Sequence, residues 1–338
     1  MKVKSNATPE NERVAGPPAR RPRIGLALGG GGARGLAHIP ILEAFDELGL
    51  KPDIISGTSI GAIFGAAYAS GISGSEIRAH TLEVLTQRFA LLRDLFNARA
   101  QVMNRVLGIF AVRSALLDPV SLLDIIMPPG IANGFDDLQI PLRIVATDFY
   151  NQEPYVFSSG PLKQAVAASM SLPALFQPVM VGSHAMIDGG LSNPLPFDLL
   201  GGDADIIVAV DVSGAPVPSE NRNHPTAFEA LFASAFIFER TIIREKLKSG
   251  QPDIYIEGGT SHFQVLDFLR LNEVLAAAEP AKQKLKSQLQ RILASETLPA
   301  IEAGPAAEPV AAPAKKRSKR LAGIGDRVGR RGKARSGG

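Results

Sequence analysis

The chain has 338 residues, 45% apolar and 20% charged, which is enough apolar material for a core and too little charge for wholesale disorder. It has no cysteine, which excludes a disulfide framework, a thiolate zinc site and a cysteine nucleophile. The net charge of +3 is a sum of unlike parts: residues 314–338 carry +9, residues 1–23 carry +4 and the stretch between them carries −10.

An acidic globule between two basic arms is therefore expected. Residues 1–23 contain Gly16-Pro17-Pro18, and the tail from about residue 301 is rich in Ala, Pro, Gly, Lys and Arg. Neither has the apolar periodicity that could offset the entropy of folding, so both read as disordered. After Arg20-Arg21-Pro22-Arg23 only five apolar residues precede a glycine run, too few for a secretory signal. A cytoplasmic setting is expected, with peripheral membrane contact as an addition.

Ile24-Gly25-Leu26-Ala27-Leu28 is a short apolar run of the kind that forms a buried parallel strand. Four glycines follow, Gly29 to Gly32, then Ala33-Arg34-Gly35. Leu36, Ile39, Leu42, Phe45 and Leu48 recur at three-residue steps, which predicts an amphipathic helix stopped by Gly49. Residues 52–56 predict a second strand, and residues 60–69 a second helix closed by Gly71. Strand, glycine loop, helix and strand make a parallel pair with a right-handed crossover. Residues 54–72 contain no charge, a length that could span a membrane. Four glycines and several hydroxyl residues in that stretch favour a buried strand and helix instead.

Two motifs lie at the C-terminal ends of these strands, where open α/β sheets place ligands. Gly30-x-Gly32-x-x-Gly35 also fits a dinucleotide fingerprint, but that reading wants an acid at the end of the second strand. That strand ends in Ser56-Gly57, and Asp53 stands at its start. The second motif, Gly57-Thr58-Ser59-Ile60-Gly61, is a GxSxG between strand and helix. Its glycines permit a turn that lifts the Ser59 hydroxyl clear of the sheet, and the following helix aims its positive end there. The plain alternative is a loop serine among turn glycines. A serine nucleophile needs a base and an oxyanion hole. The N–H groups of Gly30, Gly31 and Gly32 are candidates for the hole.

None of the five histidines, His38, His80, His184, His224 and His262, lies in a recognisable hydrolase setting. Asp188-Gly189-Gly190 is the better source of a base: two glycines let the chain turn and leave the carboxylate facing a neighbour. An ordinary Asx turn in a hairpin competes with that reading.

Together, the 30–35 glycine loop, the 57–61 elbow and Asp188-Gly189-Gly190 resemble the patatin-like phospholipases. The resemblance covers roughly residues 26–201. It extends to Ala165–Pro178, similar to the family's helix and proline loop, and to Asn193-x-x-Pro196. Plant members have Asp where this chain has Gly29, and bacterial members commonly have Gly. The resemblance implies an α/β fold, a three-layer sandwich with a mostly parallel sheet flanked by helices. It implies Ser59 as nucleophile, Asp188 as proton acceptor and Gly30, Gly31 and Gly32 as oxyanion donors. Gly35, Gly57, Gly61, Gly189 and Gly190 then support those groups, and Arg34 braces the loop or meets an anionic head group. The implied substrate is a lipid carboxylic ester, a phospholipid or lysophospholipid at a membrane or aggregate surface. A non-catalytic lipid-binding protein on the same fold is the competing expectation, and a dinucleotide-binding oxidoreductase stands behind it. No metal and no cofactor is expected.

Residues 82–127 predict apolar helices. The arginines between 82 and 117 form either a solvated basic face or a cap that meets anionic membrane. Residues 140–147 and 205–212 predict buried strands, with Asp148 and Asp211 as turn and network residues. Residues 227–238 predict a helix on the sheet and 253–257 an edge strand. Residues 265–294 predict two helices broken at Pro280. The expected organisation is a catalytic domain at 24–213, an extension at 214–300 packed on it, and the tail at 301–338. The basic tail lacks interleaved aromatics, so nucleic-acid stacking is not expected.

Overall fold

In a computed structural model, residues 21–87, 116–215, 224 and 227–294 are described. The arms at 1–20 and 295–338, and the arginine-rich stretch at 88–115, lie outside them. The described residues fall within one compact unit, Met1–Glu296.

Eight strands form one sheet: β1 Ile24–Leu28, β2 Ile54–Thr58, β3 Leu142–Asp148, β4 Glu153–Phe157, β5 Val179–Val181, β6 His184–Asp188, β7 Ile206–Asp211 and β8 Ile254–Glu257. The pairs β1/β2, β1/β7, β2/β3 and β7/β8 are parallel, whereas β4 and β6 run antiparallel to β3. β1 and β2 are buried along their whole length, as their unbroken apolar runs require.

Seven helices join them among the described residues: α1 His38–Glu47, α2 Ile60–Ala69, α3 Gly74–Gln87, α4 Pro119–Ile126, α5 Leu162–Ser169, α6 Ala227–Ser249 and α7 Leu271–Ala294. Every residue of α2 is buried, so the uncharged 54–72 stretch is a core strand and a core helix. Among the described residues no helix is long and apolar enough to cross a membrane.

Alternation along the strands divides the core into two layers. Leu26, Leu28, Ile55, Val208 and Val210 pack with α1, α2 and α7, while Ala27, Ile54 and Ala209 pack with Leu195, Phe197, Leu200 and Ile243 of α6. Helices thus cover both faces of the sheet.

The register of β3 positions the site. Val145 pairs with Thr58 of β2 and Val156 of β4, and Ala146 pairs with Tyr155 of β4 and Asp188 of β6. A strand has two edges, and β4 occupies the same one throughout. β6 therefore lies on the edge that β2 uses, and takes over one residue beyond the point where β2 ends. The last residues of two strands running in opposite directions meet there.

Two expectations change. Residues 271–294 form one helix with Pro280 inside it, not two helices. Pro280 is on the solvent face, and the stripe Leu271, Val274, Leu275, Ala278, Leu285 and Leu289 is buried on both sides of it. That packing outweighs one missing hydrogen bond and a local clash, about 3 kcal/mol. β4 has no counterpart in the expected elements, because Pro154 and its largely exposed residues conceal an edge strand.

Candidate active site

Ser59 stands between β2 and α2 with φ 56° and ψ −120°, outside the regions favoured by residues with a Cβ. Packing and hydrogen bonds hold it there. Its N–H donates to Ser169 Oγ at 2.8 Å, and Ser169 Oγ donates to the carbonyl of Val145 at 2.5 Å. Thr58 Oγ1 donates to the carbonyl of Asn193 and Ser56 Oγ to that of Pro196, at 2.8 and 2.9 Å, tying β2 to the segment that follows Asp188. A Cβ on Gly61 would run into the carbonyl of Leu28, and one on Gly35 into the side chain of Ile60, so the elbow closes only on glycines.

Ser59 Oγ donates to Asp188 Oδ2 at 2.8 Å, across 129 residues of sequence. The other oxygen of Asp188 accepts from Gly190 N–H at 2.8 Å. Asp188 is buried, and burial raises its pKa from 3.8 to about 6, with the Gly190 and Ser59 hydrogen bonds pulling the other way. Its backbone is pinned as well: its carbonyl accepts from Thr147 Oγ1 at 2.8 Å and its N–H donates to Ser171 O at 3.0 Å.

The glycine loop lies over the elbow, where a Cβ on Gly30 would stand 3.5 Å from the Cβ of Ser59. Of the three expected oxyanion donors, one has its N–H already committed within the protein. The N–H of Gly30 donates to the carbonyl of Pro194 at 2.9 Å and is turned away from a substrate oxygen. Gly31 and Gly32 stand at the start of a 3₁₀ turn, Gly32–Ala37, whose first N–H groups have no helical acceptor, and both line the cavity at Ser59. Arg34 is buried: its Nε donates to Gly31 O at 3.2 Å and its guanidinium lies 5.3 Å from the centre of the Phe236 ring. It braces the loop.

Asp53 caps the far end of the strand pair. It accepts from the N–H of Ile24 at 2.7 Å and pairs with Arg21 at 2.8 Å, remote from the glycine loop.

Three groups at the site escape sequence reasoning. Ser169 is one of several small residues in Ala165–Pro178. His38 is fully buried, with Nε2 2.8 Å from the carbonyl of Gly29; burial pushes its pKa down to about 4, so it is a neutral donor that holds the loop. Glu239, in a stretch of alternating charges on α6, is 3% exposed and lines the same cavity as Ser59 and Asp188. For His38 and Glu239 the only signal is the fold.

The cavity holds about 400 Å³. Ser59, Asp188, Gly31 and Gly32 line it together with apolar side chains such as Ile63, Phe64, Leu172 and Phe176. Leu266 and Leu269 line it too and are 47% and 60% exposed, so its apolar lining reaches the surface.

A strained serine at a strand–helix junction of a mostly parallel sheet, with a carboxylate in hydrogen-bond reach, defines an α/β protein of the nucleophile-elbow class. Residues 26–200 match the sequence model of the patatin-like phospholipases, and the chain belongs to that family. An uncharacterized NTE family protein of Mycobacterium tuberculosis is 36% identical over 196 residues, 57% of this chain and 50% of the relative. Patatin-like phospholipase domain-containing protein 7 of Rattus norvegicus is 34% identical over 192 residues, 56% of this chain and 13% of the relative. The match thus spans half or less of these curated relatives. Among solved structures, VipD from Legionella pneumophila superposes with a TM-score of 0.42 at 15% identity, over 80% of this chain and 67% of that one.

Proposed function

We propose that the chain is a serine acyl hydrolase that cleaves carboxylic esters of lipids. The observation that carries the reading is the 2.8 Å hydrogen bond from Ser59 Oγ to Asp188 Oδ2, made at the wall of an apolar cavity of about 400 Å³. Asp188 takes the Ser59 proton as Oγ attacks the ester carbonyl. The N–H groups of Gly31 and Gly32, with the positive end of α2, receive the oxyanion. The alcohol leaves, and water hydrolyses the acyl-enzyme by the same sequence. Burial makes Asp188 a better base than an exposed aspartate by bringing its pKa nearer the working pH. The cavity accommodates the acyl chain, and the exposed leucines at its mouth suit a lipid aggregate.

The test compares wild type with Ser59→Ala on p-nitrophenyl acyl esters and on a panel of phospholipids, lysophospholipids and neutral lipids. Ser59→Ala is expected to lose at least ~10³-fold in kcat. Equal turnover by the two proteins would sink the reading. Covalent labelling of wild type by a fluorophosphonate, absent in Ser59→Ala, separates a hydrolase from a lipid-binding protein of the same fold.

A further inference from the structure

Glu239 is buried in the wall of the Ser59 cavity, and the mechanism above gives it no task. Among the described residues its carboxyl receives no hydrogen bond and no cation lies within ion-pair distance. A Cβ on Gly190 would run into Glu239 Oε1 and stand 3.1 Å from Asp188 Oδ1, so the two carboxyls flank one point in space. Gly190 has no side chain where Glu239 reaches in.

Two carboxyls this close, both buried, do not ionise together. The hydrogen bonds decide which one keeps the proton. Asp188 accepts from Gly190 N–H and from Ser59 Oγ–H, which favours its anion. Glu239 has no such donor, so the proton stays on Glu239. Burial first, and the Asp188 charge second, push its pKa well above the usual carboxylate range, while the charge of Arg34 pulls it back and Asp211 adds to the rise. Both oxygens of Asp188 are engaged, one by the Gly190 N–H and the other by Ser59. Glu239 offers the cavity a proton that no hydrogen bond among the described residues engages.

We infer that Glu239 is a second acid–base residue of this site, whose carboxylic acid gives its proton to the departing alcohol oxygen when the tetrahedral intermediate collapses. The inference rests on Ser59 and Asp188 acting as proposed. Ser59 Oγ bonds to the carbonyl carbon, and its proton goes to Asp188 Oδ2. On collapse the bond from carbon to the alcohol oxygen breaks, and that oxygen keeps the electron pair and takes the Glu239 proton. Glu239 is then a carboxylate facing Arg34, and Asp188 is protonated. Transfer of that proton from Asp188 to Glu239 restores the resting pair. Water then attacks the acyl carbon and gives a proton to Asp188, which passes it to Ser59 Oγ as the acyl bond breaks. Ester and water become acid and alcohol, and both carboxyls end as they began.

The test uses leaving groups. An alkoxide needs a proton to depart and a p-nitrophenolate does not. Wild type, Glu239→Gln and Glu239→Asp are assayed on a p-nitrophenyl ester and an alkyl ester of one acyl chain. Glu239→Gln keeps the shape and loses the proton, so kcat for the alkyl ester should fall about 10²-fold more than kcat for the p-nitrophenyl ester. Glu239→Asp should recover part of that difference. Equal falls on both esters, or no fall on either, would overturn the role. Should Glu239→Gln fail to fold, the same ester comparison between Glu239→Asp and wild type carries the test, with wild type as a further check. A leaving-group series on wild type should show a shallow dependence of rate on alcohol acidity, and a steep one overturns the role. Fluorophosphonate labelling is run in parallel: labelled Glu239→Gln keeps Ser59 as nucleophile whatever the ester ratio shows, and unlabelled wild type removes the nucleophile itself.

Discussion

Ser59 occupies a backbone conformation that costs of order 1–3 kcal/mol and persists because its surroundings over-determine it. Ser169 is the main restraint, since it accepts the Ser59 N–H while donating to Val145. Ser169→Ala leaves that N–H without a partner, a loss of ~1–3 kcal/mol that urea denaturation would measure, and kcat should fall with it as the elbow relaxes. Asp188 gives two further expectations of opposite sign. With its pKa at about 6, kcat/KM should rise as pH passes upward through 6 and the base ionises. Stability should move the other way. The folded state holds the Asp188 proton more tightly than the unfolded chain, so stability present below pH 4 is lost as pH rises from about 4 to 6. Asp188→Asn removes the buried charge. It should stabilise the fold at pH 8 by on the order of 1–3 kcal/mol, seen as a higher melting temperature, while cutting kcat by at least ~10²-fold. A melting temperature that falls at pH 8 would contradict the sign.

At the scale of elements, the β5–β6 hairpin delivers Asp188, the proposed base, and Gly189 is where the hairpin fits. A Cβ on Gly189 would run into the carbonyl of Val145, so Gly189→Ala should destabilise by about 1–3 kcal/mol or more and draw Asp188 from Ser59, seen as lost fluorophosphonate labelling. The glycine loop, the elbow and the Asp-Gly-Gly turn are legible in sequence because each needs residues without side chains at fixed offsets. β1, α2, β3, β7 and β8 are legible because their apolar runs match their burial. The limits have physical causes. Pro280 reads as a break because local propensity carries no account of the buried stripe that spans it. Glu239 stands in a charged stretch beside Arg240 and Arg244, with nothing local to mark it as buried, and the docking of α6 onto Gly189–Leu191 buries it. Gly30 shares its residue type with Gly31 and Gly32. Pro194, 164 residues away, decides that its N–H is spoken for.

At the scale of the molecule, the −10 charge of residues 24–313 is set against +4 and +9 at the two ends. All five arginines between 82 and 117 lie beyond the described residues, and the exposed apolar side chains at the cavity mouth are the other candidates for meeting a lipid surface. Replacing Leu266 and Leu269 together by Ser should slow hydrolysis of esters held in vesicles by several-fold more than hydrolysis of the same esters as dissolved monomers, because only the former require apolar surface to leave water. Equal effects would remove the leucines from any interfacial role. The abutment of β2 and β6 along one edge of β3 has a further consequence. Ser59 and Asp188 sit on opposite sides of a single step in the β3 register, and slipping β6 by one residue would turn Asp188 to the other face of the sheet. Ser59 is placed between β2 and α2, whereas its hydrogen bond to Asp188 requires the hairpin to be closed onto β3. On the proposed mechanism, activity would therefore require the β6 register to be correct.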